Sequence, residues 1–234
     1  MKQTIQEVLG NNPYPGRGIL IGQVGDCAVT AYFIMGRSES SRNRIFAVSE
    51  DGIVTKAYAP GEMENPSLLL YAPVRKLGDT LIVTNGDQTD TVYDGMEQGG
   101  SFAWALRKRE YEPDAPHYTP RISGVLLFQG GAFSYTLSIL KRGEGDVCLR
   151  NFFEYEAAVP GVGHLIHTYQ GDGNPLPSFS GEPKTVALEG DIDTMTKTLW
   201  ETLNQDNKVS LFVQYVNLTS GNTETRIMNK REGK

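Results

Sequence analysis

Seven apolar segments of strand length recur along the chain, and they constrain its fold more than any other feature. Each is six to ten residues long and rich in valine, isoleucine, threonine, tyrosine or phenylalanine, as strands tend to be. Turn signals separate them, at Gly25-Asp26, at Asp51-Gly52 and at a hairpin tip over 141–146. The pattern predicts strands at 18–24, 27–35, 80–85, 122–128, 133–140, 184–189 and 208–217.

Helical patterns are few by comparison. Residues 191–205 begin with aspartate caps and carry apolar side chains on one helical face. A second helix is predicted over 93–109, in spite of the glycine pair Gly99-Gly100, and a short one over 5–9. Many strands with few helices predict an α+β layered sandwich, which we assign to a single domain over residues 1–234.

The proline- and glycine-rich segment 171–184 has two interpretations. It could be a disordered linker, since its composition suits one. It could instead be an ordered loop over a site, because Leu176 and Phe179 would otherwise be exposed. The flanking segments have similar strand-like compositions, so we expect a loop inside one domain, packed beside the functional site or against a neighbouring subunit.

Composition excludes several classes of protein. The net charge of -6 and the pI near 5.2 argue against a nucleic-acid surface. No apolar run reaches the length that spans a bilayer, and the N-terminal segment lacks the apolar core of a signal peptide. The two cysteines, Cys27 and Cys148, are expected to be reduced and mostly buried, which predicts a cytoplasmic location.

Against this acidic background, three arginines fall within eight residues of a loop-like run. Arg37, Arg42 and Arg44 follow an apolar strand and are interspersed with serine and asparagine. Guanidinium groups bind phosphate oxygens in a fixed fork geometry, and Ser38 and Asn43 add hydrogen-bonding groups. The run is therefore either a compact phosphate site or a solvated charged loop.

Two further segments place polar groups at the ends of apolar strands. The first runs from Asn85 to Asp90, where the density of polar residues exceeds what a reverse turn needs. The second is Thr119-Pro120-Arg121, directly before a strongly apolar strand. A hairpin turn and ordinary strand punctuation would explain each one separately.

Taken in order, these segments resemble the archaeal-type IMP cyclohydrolase family over residues 16–185. Two features differ from the family pattern: the arginine loop is longer, and the polar turn carries Gln88 in place of a histidine. The segment 171–184 and the last fifty residues resemble an elaboration found in a bacterial branch. The motifs that carry the resemblance are Gly16-Arg17, Tyr32 to Arg44, Asn65-Pro66 with Tyr71, Asn85 to Asp90, and Thr119-Pro120-Arg121-Ile122.

The resemblance implies a fold, a substrate and a reaction. The fold is a four-layer αββα sandwich similar to the N-terminal nucleophile hydrolases. The reaction closes 5-formamidoimidazole-4-carboxamide ribonucleotide to IMP with loss of water, without cofactor or metal. The partner is a small nucleotide, not nucleic acid or membrane, and a homo-oligomer is compatible with this activity.

The resemblance also implies roles for particular residues. Either Arg42 or Arg44 supplies the second phosphate ligand beside Arg37. Tyr71 and Arg121 would stabilise the developing oxyanion, and an acid such as Asp87, Asp114, Glu154 or Glu156 would carry the proton. The predicted substrate-binding residues are Arg37, Ser38, Asn43, Arg44, Asn85, Asp90 and Thr119.

Two other functions remain open from the sequence. An amidohydrolase of the N-terminal nucleophile type would need a Cys, Ser or Thr at the start of its first strand, and Cys27 lies beyond it. A nucleotide-binding module without turnover would agree with the change from histidine to Gln88. A metal pair at His164 and His167 is disfavoured, because a spacing of three in a strand puts the rings on opposite faces.

Overall fold

The computed structural model describes residues 2–59, 61 and 66–231. The helices are α1 (Ile5–Leu9), α2 (Glu39–Arg42), α3 (Pro66–Leu69), α4 (Gln88–Glu97), α5 (Phe102–Leu106) and α6 (Ile192–Thr202), with a 3₁₀ turn at Glu144–Asp146. The strands are β1 (Arg17–Val24), β2 (Cys27–Met35), β3 (Arg44–Ser49), β4 (Gly52–Ala57), β5 (Val74–Leu77), β6 (Thr80–Thr84), β7 (Arg121–Gln129), β8 (Ala132–Arg142), β9 (Cys148–Tyr155), β10 (Val162–His167), β11 (Lys184–Ala187), β12 (Lys208–Asn217) and β13 (Thr223–Asn229).

The strands form two sheets, in which the paired strands are antiparallel. The six-stranded sheet has the order β11-β10-β1-β2-β12-β13 and joins both ends of the chain. The seven-stranded sheet is a meander in which β3 to β9 follow one another in sequence order. Arg17 at the start of β1 lies opposite Ile34 near the end of β2, so the start of β1 and the end of β2 lie side by side in the six-stranded sheet.

Alternation along each strand sorts the core into three apolar clusters. On β2, Tyr32 and Ile34 join the cluster between the sheets, whereas Phe33 points to the outer face. Helices α1 and α6 pack on that outer face of the six-stranded sheet. Helices α4 and α5 pack on the outer face of the seven-stranded sheet. The molecule is thus an α+β sandwich of two sheets with helices outside each.

The seven strands predicted from apolar runs are confirmed, and the hairpin tip between β8 and β9 is too. Strands β3, β4, β5, β9, β10 and β13 were not among them. Each of these strands is short or contains several polar residues, as in the β13 sequence TETRIMN. Its hydrophobic signal is therefore weak. These strands obtain their apolar contacts from tertiary packing.

The single helix predicted over 93–109 is wrong. Helix α4 starts earlier, at Gln88, and ends at Glu97. Gly99 then adopts a φ of +82°, which breaks the helix, and Ser101 caps the start of α5 through its side chain. The earlier start matters for function, because it places the polar turn at 85–90 at the first turn of α4.

Two further expectations concern the two cysteines and the length of the apolar segments. Cys27 and Cys148 are free thiols, as predicted, but both are half-buried and not mostly buried. Burial raises the pKa of each thiol. None of the helices in the described ranges is long and apolar enough to cross a membrane.

Candidate functional site

Four charged side chains are buried where strands β1, β3 and β7 begin. Arg17, Arg44 and Arg121 are the first residues of these strands, and Glu112 lies in the segment that leads into β7. Their exposed fractions are 8%, 1%, 5% and 2%, respectively. Charged groups are almost never buried to this extent unless they are paired or functional. We call these four residues the buried charge cluster.

Glu112 is the single carboxyl group of the cluster. Its Oε2 lies 3.7 Å from Nη2 of Arg17. Burial raises the pKa of Glu112 to about 7, although Arg17, Arg121 and Arg44 favour its charged form. Burial alone would lower the pKa of Arg17, but Glu112 and the surrounding tyrosines raise it above its ordinary value. Near neutral pH, Glu112 can therefore both give and take a proton.

Several polar atoms of the cluster have no hydrogen-bond partner among the described residues. They are Nε of Arg17, Nη1 of Arg44, Nε of Arg121 and Oε1 of Glu112, all of them buried. Buried polar atoms are hydrogen-bonded in the great majority of cases, since leaving one unpaired costs about 1–3 kcal/mol. Their concentration at one place is typical of a site that binds a polar ligand.

Tyrosine side chains surround the cluster. The hydroxyl groups of Tyr32 and Tyr71 are 2.7 Å apart, and both residues are buried. Burial raises the pKa of Tyr32 well above its ordinary value, and Tyr71 raises it further. The rings of Tyr14 and Tyr169 stack with centroids 5.9 Å apart. Tyr14, Tyr71 and Tyr169 all contribute to the electrostatic environment of Arg17.

Arg121 is fixed by the polar turn at the start of α4. Its Nη1 donates to Oδ1 of Asp87 at 2.7 Å and to Oε1 of Gln88 at 2.7 Å. The amide of Gln88 in turn donates to Asn85 Oδ1 at 2.9 Å, which also accepts from the backbone of Ile122. Gln88 therefore joins the polar turn to the start of β7.

Asp87 is held by two cations. It pairs with Arg109 as well as with Arg121. Burial alone would raise the pKa of Asp87, but the two arginines hold it below its ordinary value. Asp87 is therefore a charged anchor for Arg121 near neutral pH.

Within the arginine loop, Arg44 enters the cluster and Arg42 does not. Nε of Arg44 donates to Ser41 O at 2.8 Å and Nη2 to Met35 O at 3.1 Å. Nε of Arg42 donates to Gly36 O at 3.0 Å. The two other predicted ligands in this loop have local roles. Ser38 caps α2, and the amide of Asn43 exchanges two hydrogen bonds of 2.8 Å with the backbone of Ala59.

Arg37 lies outside the cluster, beside the proline- and glycine-rich loop. About a third of its side chain is exposed (32%), and its Nη1 contacts Asp172 Oδ1 at 2.5 Å and Gly173 O at 3.0 Å. Its guanidinium group lies 5.0 Å from the centroid of the Tyr14 ring. Because Tyr14 stacks on Tyr169, a row of side chains leads from Arg37 towards the buried charge cluster.

The loop 171–184 is ordered and packed. Leu176 and Phe179 are buried, with exposed fractions of 6% and 1%. The backbone N–H of Leu176 donates to Nδ1 of His117 at 3.2 Å. The expectation that these two apolar residues are covered is confirmed, and a free linker is excluded.

Two further predicted site residues lie outside the cluster, and one residue of the motifs that carry the resemblance lies outside the described ranges. Asp90 is exposed and pairs with Arg75 at 3.0 Å. Glu154 is exposed on β9. Leu140 of β8 is the register partner of Arg121 on one side and of Arg150 of β9 on the other. Glu154 lies four residues along β9 from Arg150. Four residues of strand correspond to about 13 Å. Asn65 falls among residues that the structure does not describe.

Thr119 and Asn85, predicted to bind substrate, are buried, and their side chains contact protein groups. Thr119 lies between Asp114 and Tyr169, and Asn85 between β7 and Gln88. Sequence reasoning did not select Glu112, Tyr32 or Tyr169, and it assigned no role to Arg17. Arg17 and Tyr32 carried a signal, in the Gly16-Arg17 pair and at the start of the segment from Tyr32 to Arg44. In the described part of the chain, no group of three or more His, Cys, Asp or Glu side chains could hold a metal ion.

Several archaeal proteins named IMP cyclohydrolase are similar to this chain. The chain is 31% identical over 117 residues to the IMP cyclohydrolase of Methanothrix thermoacetophila, an alignment covering 48% of this chain and 57% of that protein. It is 25% identical over 193 residues to that of Haloquadratum walsbyi, covering 80% and 84%. It is 27% identical over 180 residues to the IMP cyclohydrolase of Methanopyrus kandleri, an alignment covering 71% of this chain and 89% of that protein. The chain thus spans a little over half of the first relative.

The family model of IMP cyclohydrolase-like proteins matches residues 14–221. This match continues past residue 185, so the family pattern extends into the last fifty residues. β12 explains the extent of the match, since it pairs with β2 in the middle of the six-stranded sheet and belongs to the framework. Because the match covers well over half of its residues, the chain belongs to the family of IMP cyclohydrolase-like proteins.

Proposed function

We propose that the protein is an IMP cyclohydrolase, which closes 5-formamidoimidazole-4-carboxamide ribonucleotide to IMP with loss of water. The observation that carries the proposal is the buried charge cluster, where unpartnered arginine donors surround an acid whose pKa is about 7. The family and the IMP cyclohydrolase relatives support it. Dehydrative closure needs these elements: a donor for the developing oxyanion and a group that moves a proton.

The phosphate of the substrate would bind towards Arg37, at the outer end of the row of side chains. Arg44 is the better second ligand than Arg42, because its Nη1 is buried and unpartnered, whereas Arg42 lies outside the buried charge cluster. Ser38 and Asn43 would act indirectly, by shaping the loop that carries both arginines. The ribose and base would then extend along Tyr14 and Tyr169 towards Glu112.

In the first step, the carboxamide nitrogen attacks the formyl carbon. A carbon–nitrogen bond forms, the formyl oxygen gains a proton and the attacking nitrogen loses one. Arg121 and the hydrogen-bonded hydroxyl pair of Tyr32 and Tyr71 would stabilise the charge that develops on this oxygen. Asp87, Gln88 and Asn85 hold Arg121 in place, and Thr119 holds Tyr169.

In the second step, the new hydroxyl group leaves as water together with the hydrogen of the former formamide nitrogen. Glu112 would carry these protons, since it populates both protonation states near neutral pH. This replaces Asp87 and Glu154 as proton carriers. Asp87 is an anchored carboxylate, and Glu154 is exposed about 13 Å along the sheet.

We further propose that residues 1–234 form one domain with the four-layer αββα arrangement of the N-terminal nucleophile hydrolases. The central core shared by both sheets and the helices outside each sheet support this. The two free thiols support a cytoplasmic location. A homo-oligomer would be compatible with this activity.

Incubating the purified protein with the formyl substrate, and following the absorbance of the product purine, tests the proposal. We expect turnover by the wild type and a loss of at least about 100-fold in Glu112→Gln, which keeps the size of the side chain but not its proton. Glu201→Gln, on the exposed face of α6, is the matched control and should keep full activity. Binding of IMP without turnover in the wild type would indicate the non-catalytic nucleotide-binding module instead.

A further inference from the structure

Two side chains of the segment 111–121 and the distant Tyr169 form a line of hydrogen bonds that ends beside the buried charge cluster. Asp114 accepts from the backbone N–H of Thr119 at 2.6 Å and from the Thr119 hydroxyl group. The hydroxyl groups of Thr119 and Tyr169 are 2.5 Å apart. Asp114 is half-buried, whereas Thr119 and Tyr169 are 1% and 2% exposed. The line therefore runs from the partly solvated side of the segment 111–121 into the interior.

The protons in this line can have only one arrangement. A carboxylate only accepts hydrogen bonds, and a threonine hydroxyl has a single proton to donate. Thr119 gives that proton to Asp114, so Tyr169 must donate its own proton to the Thr119 oxygen. Burial raises the pKa of Tyr169 well above its ordinary value, so the phenol remains protonated. The oxygen of Tyr169 can then offer only lone pairs to any other group that approaches it.

Packing fixes the ring of Tyr169 in this orientation. Tyr14 stacks on one side of it. On another side lies Gly16, whose φ is +79°, and a Cβ at this position would come within 2.5 Å of the Tyr169 ring. Tyr169 also belongs to the electrostatic surroundings of Arg17 and shares them with Glu112. A rigid hydrogen-bond acceptor thus stands beside the acid and the unpartnered arginine.

We propose that Tyr169, held as an acceptor by Thr119 and Asp114, selects purine monophosphates that carry an N–H at ring position 1. The inference rests on the proposed function. The attacking carboxamide nitrogen of the substrate becomes ring nitrogen 1 of the product, and it carries a hydrogen both before and after closure. Hypoxanthine therefore donates at this position. Adenine has no hydrogen there, and its lone pair would face that of Tyr169.

Tyr169 is thus a specificity-determining and positioning residue. A site built to pair with a donor rejects an analogue that lacks it, because the buried acceptor is left unpaired. The same acceptor would align the nitrogen of the carboxamide for attack on the formyl carbon.

Titration calorimetry with IMP and AMP tests the assignment. We expect the wild type to bind IMP at least about tenfold more tightly than AMP, and Tyr169→Phe to bring the ratio of the two dissociation constants close to one. Thr119→Val removes the acceptor that orients the tyrosine hydroxyl, so it should lower the ratio as well. Thr119→Ser keeps the hydroxyl group and should preserve the wild-type ratio.

The ratio of the IMP and AMP dissociation constants distinguishes a role of Tyr169 in selecting the nucleotide from a purely structural role. Tyr215→Phe, a buried tyrosine on β12 whose hydroxyl donates to Gly190 O, is the control for removing a hydroxyl group elsewhere. Equal weakening of IMP and AMP in Tyr169→Phe would overturn the proposal, as would an unchanged ratio in a variant that melts cooperatively. Failure of the wild type to bind either nucleotide would contradict the proposed function itself.

Discussion

At the scale of single residues, the side chains of the site differ in how firmly the fold holds them. Arg121 is buried, and one of its terminal nitrogens is shared between Asp87 and Gln88. Arg37 is a third exposed and is held by the single carboxylate of Asp172 and a backbone carbonyl. A rigidly held cation suits a developing charge, whereas an exposed one suits a phosphate that arrives from solvent. The two arginines should therefore respond differently to mutation.

We expect Arg121→Lys to lower kcat by roughly 100-fold with a smaller change in KM. A lysine ammonium can replace the contacts with Asp87 and Gln88, but it cannot also keep the donor that Nε of Arg121 presents. Steady-state kinetics with the formyl substrate measures both constants. Arg75→Lys, which alters a cation on β5 that pairs with Asp51 and Asp90, should leave them unchanged. A pure KM effect would make Arg121 a phosphate ligand.

Arg37→Ala should weaken the binding of IMP by about 1–2 kcal/mol. The loss is smaller than for a fully buried contact, because solvent screens the partly exposed guanidinium group. Calorimetry against IMP and against the free nucleoside inosine separates the phosphate contribution, since inosine binding should not change. Arg226→Ala, an exposed arginine on β13, is the control. An equal loss for inosine would refute the phosphate assignment.

At the scale of elements, the loop 171–184 and the arginine loop are joined by one ion pair. The carboxylate of Asp172 occupies the guanidinium group of Arg37 that a phosphate would need. Substrate and loop therefore compete for the same cation. Leu176 and Phe179 anchor the rest of the loop independently, because both are buried.

Asp172→Asn should therefore strengthen IMP binding, by roughly threefold, since an exposed ion pair contributes less than about 1 kcal/mol. The same variant should be cut faster in the loop by a protease when no nucleotide is present. Asp146→Asn removes an exposed pair with Arg142 and serves as the control for both measurements. Weaker IMP binding in Asp172→Asn would show that Asp172 orients Arg37 for the phosphate.

Elements were predictable where one local signal dominated. Strongly apolar strands such as β2 and β7 are evident from composition, and so is α6 with its Asp191 cap. The strands that sequence reasoning missed carry a weaker hydrophobic signal. The start of α4 was missed because Gln88 and Thr89 are polar and yet fully buried, which only the neighbouring turn explains.

At the scale of the whole molecule, the site combines parts that are far apart in sequence. Arg17, Arg44, Glu112 and Arg121 come together because three strands begin at the same end of the sandwich. Motif order could identify the arginine loop, the polar turn and Arg121. It could not identify Glu112 or Tyr169, since an acid before a strand and a tyrosine after one are common, and only burial beside Arg17 gives them meaning.

The same burial makes global stability depend on pH. The pKa of Glu112 is about 7 in the folded protein and 4.5 in the reference state, so the folded state binds the proton more tightly. The contribution of Glu112 to the free energy of unfolding is therefore fully present below pH 4.5. As pH rises to about 7 this contribution is lost, and the free energy of unfolding falls by roughly 3 kcal/mol. Urea denaturation at pH 5 and pH 8 should show this decrease in the wild type.

Glu112→Gln removes the titrating group, so its free energy of unfolding should fall less between these two pH values. Glu201→Gln should retain the full decrease, because Glu201 is exposed on α6. A wild-type decrease that persists unchanged in Glu112→Gln would assign the pH dependence to other groups.

The order of strands in the two sheets has a consequence for how the protein is made. The seven-stranded sheet uses one continuous stretch of chain, so it can assemble as soon as that stretch leaves the ribosome. In the six-stranded sheet, β2 pairs with β12, and Cys27 lies opposite Asn217. Contacts of such long sequence separation form late. Arg17 and Tyr32 lie on the hairpin of β1 and β2, and β2 cannot pair with β12 until nearly the whole polypeptide has been synthesised.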